Sequence, residues 1–245
     1  YYKKVGLKPP CQEQNYFLLD SDNKIYQLSD SNLTLYNNQL PANQIAYLAE
    51  NERLVSVDNQ NQFYAQENDT YQQLNLTLLE DALVSDMQTY GDRIYFIDRL
   101  HGIYKISQPL SANPQLSVWY SADKQIINNA QQIFVDGNIW LNSMNKIYKF
   151  YTGQQQDFEI TKLSKPLSKN ILIYTQEDWN NLYILDKDNS RLVVTDKQGI
   201  AQKQFLNETL IKANNFIINS DQTKAIAITN NEIIELNLNH RLDIE

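Results

Sequence analysis

NNLYILDKDNSRLVV (180–194) reads as a short apolar strand, a polar turn and a second apolar strand. Residues 182–185 are apolar at every position, the pattern of a strand buried on both faces. The turn that follows, DKDNS (186–190), carries the residue types that tight hairpins favour. The same phrase recurs as NYFLLDSDNKIYQL (15–28), ERLVSVDNQNQFYA (52–65), DRIYFIDRLHGIYKI (92–106), GNIWLNSMNKIYKF (137–150) and TKAIAITNNEIIEL (223–236). Its first strand closes on Asp20, Asp58, Asp98, Asn142, Asp186 and Thr229 in turn, at spacings of 38 to 44 residues. Six copies at that period fill the chain almost end to end, the mark of a repeat architecture.

Around the fifth copy, four strand-sized segments make one repeat: 171–175, 182–185, 192–195 and 202–206. The second segment is apolar throughout, the third mixed, as in IYKI (103–106), and the fourth often polar, as in QQLN (72–75) or EITK (159–162). A four-stranded sheet with a dry inner side and a wet outer strand has this gradient. No window shows a 3.6-residue apolar period. The least strand-like stretch, 123–132, is expected to hold a turn of helix. The pattern predicts an all-β fold, a six-bladed β-propeller of four-stranded antiparallel blades. The propeller is expected over 15–238, with 239–245 as a tail. Residues 1–14 form an N-terminal segment in which 2–7 supply the closing outer strand of the last blade, and 11–14 begin the first. The sixth repeat shows only three strand segments, which is what asks for a closing strand.

Composition narrows the function classes. The 245-residue chain carries a net charge of −8, against a nucleic-acid binder, which needs a basic stripe. Two His and one Cys exclude a zinc site built from those residues and any internal disulfide. No run of 18 apolar residues occurs, so no membrane-inserting segment is expected. There are 29 Asn and 24 Gln but only six Gly and six Pro. Asn must therefore do much of the turn work, since it tolerates left-handed backbone and forms Asx-turns.

The fifth copy resembles an NHL-type propeller repeat. Asp186, Asn189, Arg191 and Gly199 stand where that family's pattern has an Asp closing the strand, an Asn, an Arg and a later Asp-x-x-Gly. The other copies keep the rhythm and lose the letters: His101 and Ile103 replace the Asn and Arg, and Asn142 and Thr229 replace the Asp. The stretch IYFIDRLHGIYKI (94–106) is similar to YWTD-type six-bladed propellers. These resemblances imply a six-bladed propeller, and the lack of catalytic motifs supports a binding or scaffolding module. Six-bladed lactonases and sugar-acid hydrolases are also similar in architecture. They imply the alternative, a hydrolase with calcium held in the central channel by Glu, Asn and Asp.

The turns at 20–23, 58–62, 98–102, 142–146, 186–190 and 229–232 are expected to gather on one face. They carry Asp20, Asp22, Asp58, Asp98, His101, Asn142, Asp186 and Asp188. Those side chains either form a partner- or ligand-binding face, or each Asp caps its own hairpin. Asp186, Asp188 and Ser190 alternate oxygens as a calcium loop does, without its Gly or its bidentate Glu. Trp179 lies in the polar turn QEDWNN (176–181), as a partner anchor or a packing residue; Trp140 is expected in the core. Lys162, Lys165 and Lys169 form a small basic cluster on a solvated loop. No Gly-rich phosphate loop, G-x-S-x-G elbow or H-E-x-x-H is present. The reading is a non-catalytic domain of a longer, envelope-associated, extracytoplasmic bacterial protein. It recognises a protein, peptide or glycan through loops on one face, with no catalytic residue and no cofactor other than the Ca²⁺ of the alternative.

Overall fold

A computed structural model describes residues 2–7, 16–29, 32–37, 40–68, 70–230 and 232–239. The recurring phrase folds as a hairpin in each of its copies, and each hairpin is the middle of a sheet whose strands follow in sequence order. The first sheet is β1 (Tyr2–Leu7), β2 (Tyr16–Asp20), β3 (Ile25–Ser29) and β4 (Asn32–Asn37). The second is β5 (Gln44–Leu48), β6 (Arg53–Val57), β7 (Phe63–Glu67) and β8 (Thr70–Gln73). The third is β9 (Val84–Tyr90), β10 (Arg93–Asp98), β11 (Gly102–Ser107) and β12 (Gln115–Tyr120), followed by the short helix α1 (Lys124–Asn128). The fourth holds β13 (Ala130–Val135), β14 (Ile139–Ser143), β15 (Lys146–Tyr151) and β16 (Gln154–Gln156). The fifth holds β17 (Ile171–Tyr174), β18 (Asn181–Asp186), β19 (Arg191–Asp196) and β20 (Ala201–Leu206), and the sixth β21 (Asn215–Ile218), β22 (Lys224–Ile228) and β23 (Ile233–Asn237). These sheets are the blades of a six-bladed β-propeller. The chain divides into two compact units, Tyr1–Ile133 and Phe134–Glu245.

Burial follows the predicted gradient. The second strands β2, β14 and β18 are buried at every residue, while β8 and β20 are mostly exposed or half-buried. In the first unit, Leu19, Ile25, Ile45 and Leu54 form one core. Phe63 and Phe96 meet in a second, with ring centroids 5.1 Å apart. In the second unit, Tyr174 packs on both Phe134 and Phe216. Asn does adopt left-handed backbone at the turns, at Asn23, Asn61, Asn68 and Asn145. The helix forms within the stretch expected for it, capped by Asp123, whose side chain accepts from the Ile126 N–H at 3.1 Å.

Three details differ from the sequence expectation. Residues 2–7 do not add to the last blade. They pair antiparallel with β2, Leu7 opposite Tyr16 and Val5 opposite Leu18, and so form the first strand of the first sheet. β2 follows β1 closely in sequence, so this pairing costs little closure entropy, whereas a link to the last blade would span the whole chain. Residues 11–14, assigned to that place, lie outside the described residues, as do the last residues of the 239–245 tail. The sixth sheet has three strands among the described residues. In the fourth blade the outer strand is β16, and 159–162 is not a strand: Thr161 makes an isolated bridge to Ile200. Gly199 explains that approach. Its φ is +93°, and a Cβ there would lie 2.1 Å from the Glu159 carbonyl oxygen, so the passing chain fits only against glycine.

Candidate functional site

Most of the hairpins after the second strands turn on one short polar side chain. Asp20 Oδ1 accepts the backbone N–H of Asp22 at 2.9 Å and of Lys24 at 2.8 Å. Asp58 Oδ1 accepts from Gln60 and Gln62, both at 2.8 Å, and its Oδ2 accepts the Tyr64 hydroxyl at 3.1 Å. Burial, and then that bond to a carboxylate, raise the Tyr64 pKa above the ordinary tyrosine value. Asp98 Oδ1 accepts from Leu100 at 3.0 Å and also from Leu83, the residue before β9, at 3.1 Å. In the sixth blade Thr229 stands in for Asp, its hydroxyl accepting the Glu232 N–H at 3.0 Å. This is Asx and ST chemistry, in which the side chain satisfies backbone donors that the hairpin leaves free. Other turn residues join neighbouring sheets. The Asn61 amide donates to the Ala82 carbonyl at 2.7 Å and accepts from Val84 at 3.3 Å. The Asn142 amide donates to the Ile171 carbonyl that opens β17.

The fifth blade concentrates this chemistry. Asp186 is fully buried and Arg191 nearly so; the Arg191 Nε donates to Asp186 Oδ2 at 2.8 Å, and the Asn189 amide donates to the same oxygen at 2.8 Å. Asp186 Oδ1 accepts the Ser168 N–H at 3.1 Å. Burial alone would raise the Asp186 pKa, but the bonds from Ser168, Asn189 and Arg191 outweigh it and hold the carboxyl below its ordinary value. Asp188 is exposed on the same turn. Burial pushes the neighbouring Lys187 ammonium down in pKa, and the Asp188 charge pulls it back. Trp179 is only 7% exposed, its ring between Tyr174 and Tyr183 at 5.8 and 5.7 Å, so it packs rather than projects. Trp140 is fully buried, and its indole N–H donates to Asp136 Oδ1 at 2.9 Å.

Among the candidate residues, the side chains of Asp98 and His101 come together. The His101 Nδ1 lies 2.7 Å from Asp98 Oδ2, and its Nε2 lies 3.4 Å from Asp81 Oδ1. Lys124 reaches from α1 to the Leu100 and His101 carbonyls at 3.2 and 3.1 Å. Gly102 ends the turn at φ +153°, where a Cβ would lie 2.3 Å from the Tyr120 carbonyl oxygen. Beside this turn is an apolar recess of 280 Å³, walled by Leu78, Phe96, Tyr104 and Leu116 with Asp98 at its edge. Tyr104 stacks on Phe96 at 5.4 Å. Burial, with the charges of Asp98 and Asp81, raises the pKa of its hydroxyl, so the ring stays neutral. Leu79 and Val118, which also line the recess, are 53% and 55% exposed; Leu83 and Leu100, bonded through their backbones to Asp98, are 49% and 44% exposed. Glu80 and Asp81 stand exposed within this leucine group. Among the described residues no group of three or more His, Cys, Asp or Glu is placed to hold a metal ion.

Sequence reasoning missed Leu79, Leu83 and Asp81. The signal was there in LTLLEDALVSD (76–86), four leucines in a connection too polar and irregular for a strand. It also missed the Asp136–Lys197 pair, 2.7 Å apart, whose carboxylate is fully buried. The two residues are 61 positions apart and belong to different blades, so no local motif joins them.

No protein-family model matches the chain, and neither does any curated protein. Solved structures do. The β-propeller domain of Myceliophteria thermophila Cps50 (Swd1) superposes with a TM-score of 0.62 at 8% identity, over 97% of this chain and 83% of that one. YCF48 bound to the D1 peptide gives 0.59 at 9% identity, over 91% and 74%. A putative 6-phosphogluconolactonase from Bacteroides uniformis gives 0.60 at 14% identity, over 94% and 80%. The shared property is the fold. These neighbours are mixed in activity, and at such identities the likeness carries architecture alone.

Proposed function

We propose that the chain is a non-catalytic binding propeller that takes an extended segment of a protein or peptide at the leucine-rimmed recess beside His101. One observation carries the reading: Leu79 and Val118, each about half exposed, line a 280 Å³ apolar recess, and Leu83 and Leu100, also about half exposed, are bonded through their backbones to Asp98 in its lining. Exposed large apolar groups in a cluster mark interaction sites, whereas scattered ones do not. The turn carboxylates beside them already hold backbone donors, so the site is stiff before a partner arrives, and little ordering entropy is lost on binding. Glu80 and Asp81 select for cation beside the apolar anchor. The fitting partner is a leucine- or aromatic-bearing segment with an adjacent Lys or Arg. YCF48, a protein of the same fold, was solved with a peptide bound, which lends support to peptide recognition here. Kinship with NHL-type repeats and a place in a bacterial envelope protein belong to the same proposal. The first is supported by Asp186, Asn189 and Arg191 forming one bonded set.

The test is panning of a random displayed-peptide library on the whole chain, with Leu79→Asp/Leu100→Asp as the counter-selection. Enrichment of apolar-plus-basic peptides that lose at least tenfold affinity for the variant is the expected result. No enrichment, or binding indifferent to the variant, would sink the proposal.

A further inference from the structure

A second cavity lies in the other unit. Between β16 and β17 the chain runs without regular structure over 157–170, and it is pinned along its length to the fifth blade. Thr161 donates to the Gly199 carbonyl at 2.8 Å and accepts from Ala201 at 3.1 Å. Arg191 Nη2 donates to the Lys165 and Pro166 carbonyls at 2.6 and 3.0 Å, and the Asn189 amide also donates to Pro166 at 3.1 Å. Ser168 is held by Asp186. The segment is therefore a strap with fixed ends. Between it and the start of β15 lies a cavity of 670 Å³, within the range of sites for small molecules. Ile147, Phe158, Ile160, Leu163 and Leu167 form its apolar walls, and Lys146, Lys162 and Glu159 line it as well. Neither lysine ammonium has a hydrogen bond or ion pair among the described residues. Two uncommitted cations against one carboxylate make this cavity locally positive in a chain of net charge −8. Phe158 also packs edge-on against Trp140 at 5.0 Å, which connects the cavity wall to a fluorescent core residue.

We propose that this cavity binds a small amphipathic carboxylate, its hydrocarbon body on the apolar walls and its acid group neutralising Lys146 and Lys162. A purely apolar ligand would leave both ammoniums without a counter-charge. A purely ionic one would leave the walls wet. The combination calls for an acid on a hydrocarbon chain or ring.

The probe is decanoate below its micelle concentration, titrated into the whole chain by calorimetry and by Trp fluorescence. Decan-1-ol and hexaglutamate serve as the neutral and the purely ionic comparisons. The expected result is one saturable site that weakens at least tenfold in Leu163→Asp and at least threefold in Lys146→Met/Lys162→Met. Both comparison compounds bind more weakly than decanoate. Should Leu163→Asp fail to hold the wild-type melting curve, the lysine pair, on exposed positions, decides between the outcomes. Absence of saturable decanoate binding, equal binding by the lysine variant, or hexaglutamate binding as tightly as decanoate would each overturn the proposal.

Discussion

At Asp186 three donors from three segments meet one carboxylate: Ser168 from the strap, Asn189 from the turn and Arg191 from β19. The pair with Arg191 is buried, so removing one partner leaves an uncompensated charge. Asp186→Asn should cost about 3–5 kcal/mol by urea unfolding, and Arg191→Met added to it should recover part of that loss. The pH dependence has a definite sign. The folded-state pKa of Asp186 is lowered, so its stabilisation is complete above the ordinary carboxylate pKa of about 3.9. It is lost as pH falls further through the folded value. The stability gap between wild type and Asp186→Asn should therefore be constant near neutrality and shrink below about pH 4; a gap that widens on acidification would contradict this assignment. The sequence showed the letters of this set, because Asp, Asn and Arg sit within six positions. It did not show Ser168, which arrives from 18 residues upstream. Trp179 was ambiguous for a similar reason: its polar neighbours in sequence hide the Tyr174 and Tyr183 rings that bury it.

Among the elements, the 157–170 strap shows how one glycine sets a whole segment. Gly199 lets the Glu159–Thr161 backbone pass within contact distance at φ +93°. Gly199→Ala introduces both a left-handed strain and a clash with backbone, at a cost of about 1–3 kcal/mol. The melting temperature should fall, and decanoate binding should fall with it because the cavity loses its fixed wall. A full-strength decanoate site in that variant would separate the strap from the cavity. Asn61 acts as a stitch in the other unit. Truncation to Ala leaves the Ala82 carbonyl and the Val84 N–H without their partner and should cost about 1–3 kcal/mol in denaturant unfolding. Strand placement was largely legible in the sequence because strand period and turn chemistry are local signals. β18, β19 and β20 run over Asn181–Asp186, Arg191–Asp196 and Ala201–Leu206, around the expected 182–185, 192–195 and 202–206. The pairing of β1 with β2 was not legible, since alternation alone does not say which neighbour a strand will choose.

Across the molecule, the blades repeat one design: a largely buried second strand, in most of them a turn held by its own side chains, and a last strand turned toward solvent. The acidic residues that the repeat spaces so regularly are thereby engaged in the turns. The proposed recognition sites lie beside the turns, at the leucines near His101 in one unit and at the strap cavity in the other. Millimolar Ca²⁺ added after EDTA should therefore leave the melting temperature unchanged. A ligand at about 100 times its dissociation constant adds about 2.7 kcal/mol, which would shift the melt by several degrees in a chain this size. Peptide recognition at the leucine-rimmed recess is best checked by hydrogen exchange on the whole chain, with and without a panned apolar-basic peptide. Slowed exchange should be confined to residues 78–84, 98–104 and 116–119. Protection elsewhere, with those segments unchanged, would place recognition on another surface and contradict the assignment.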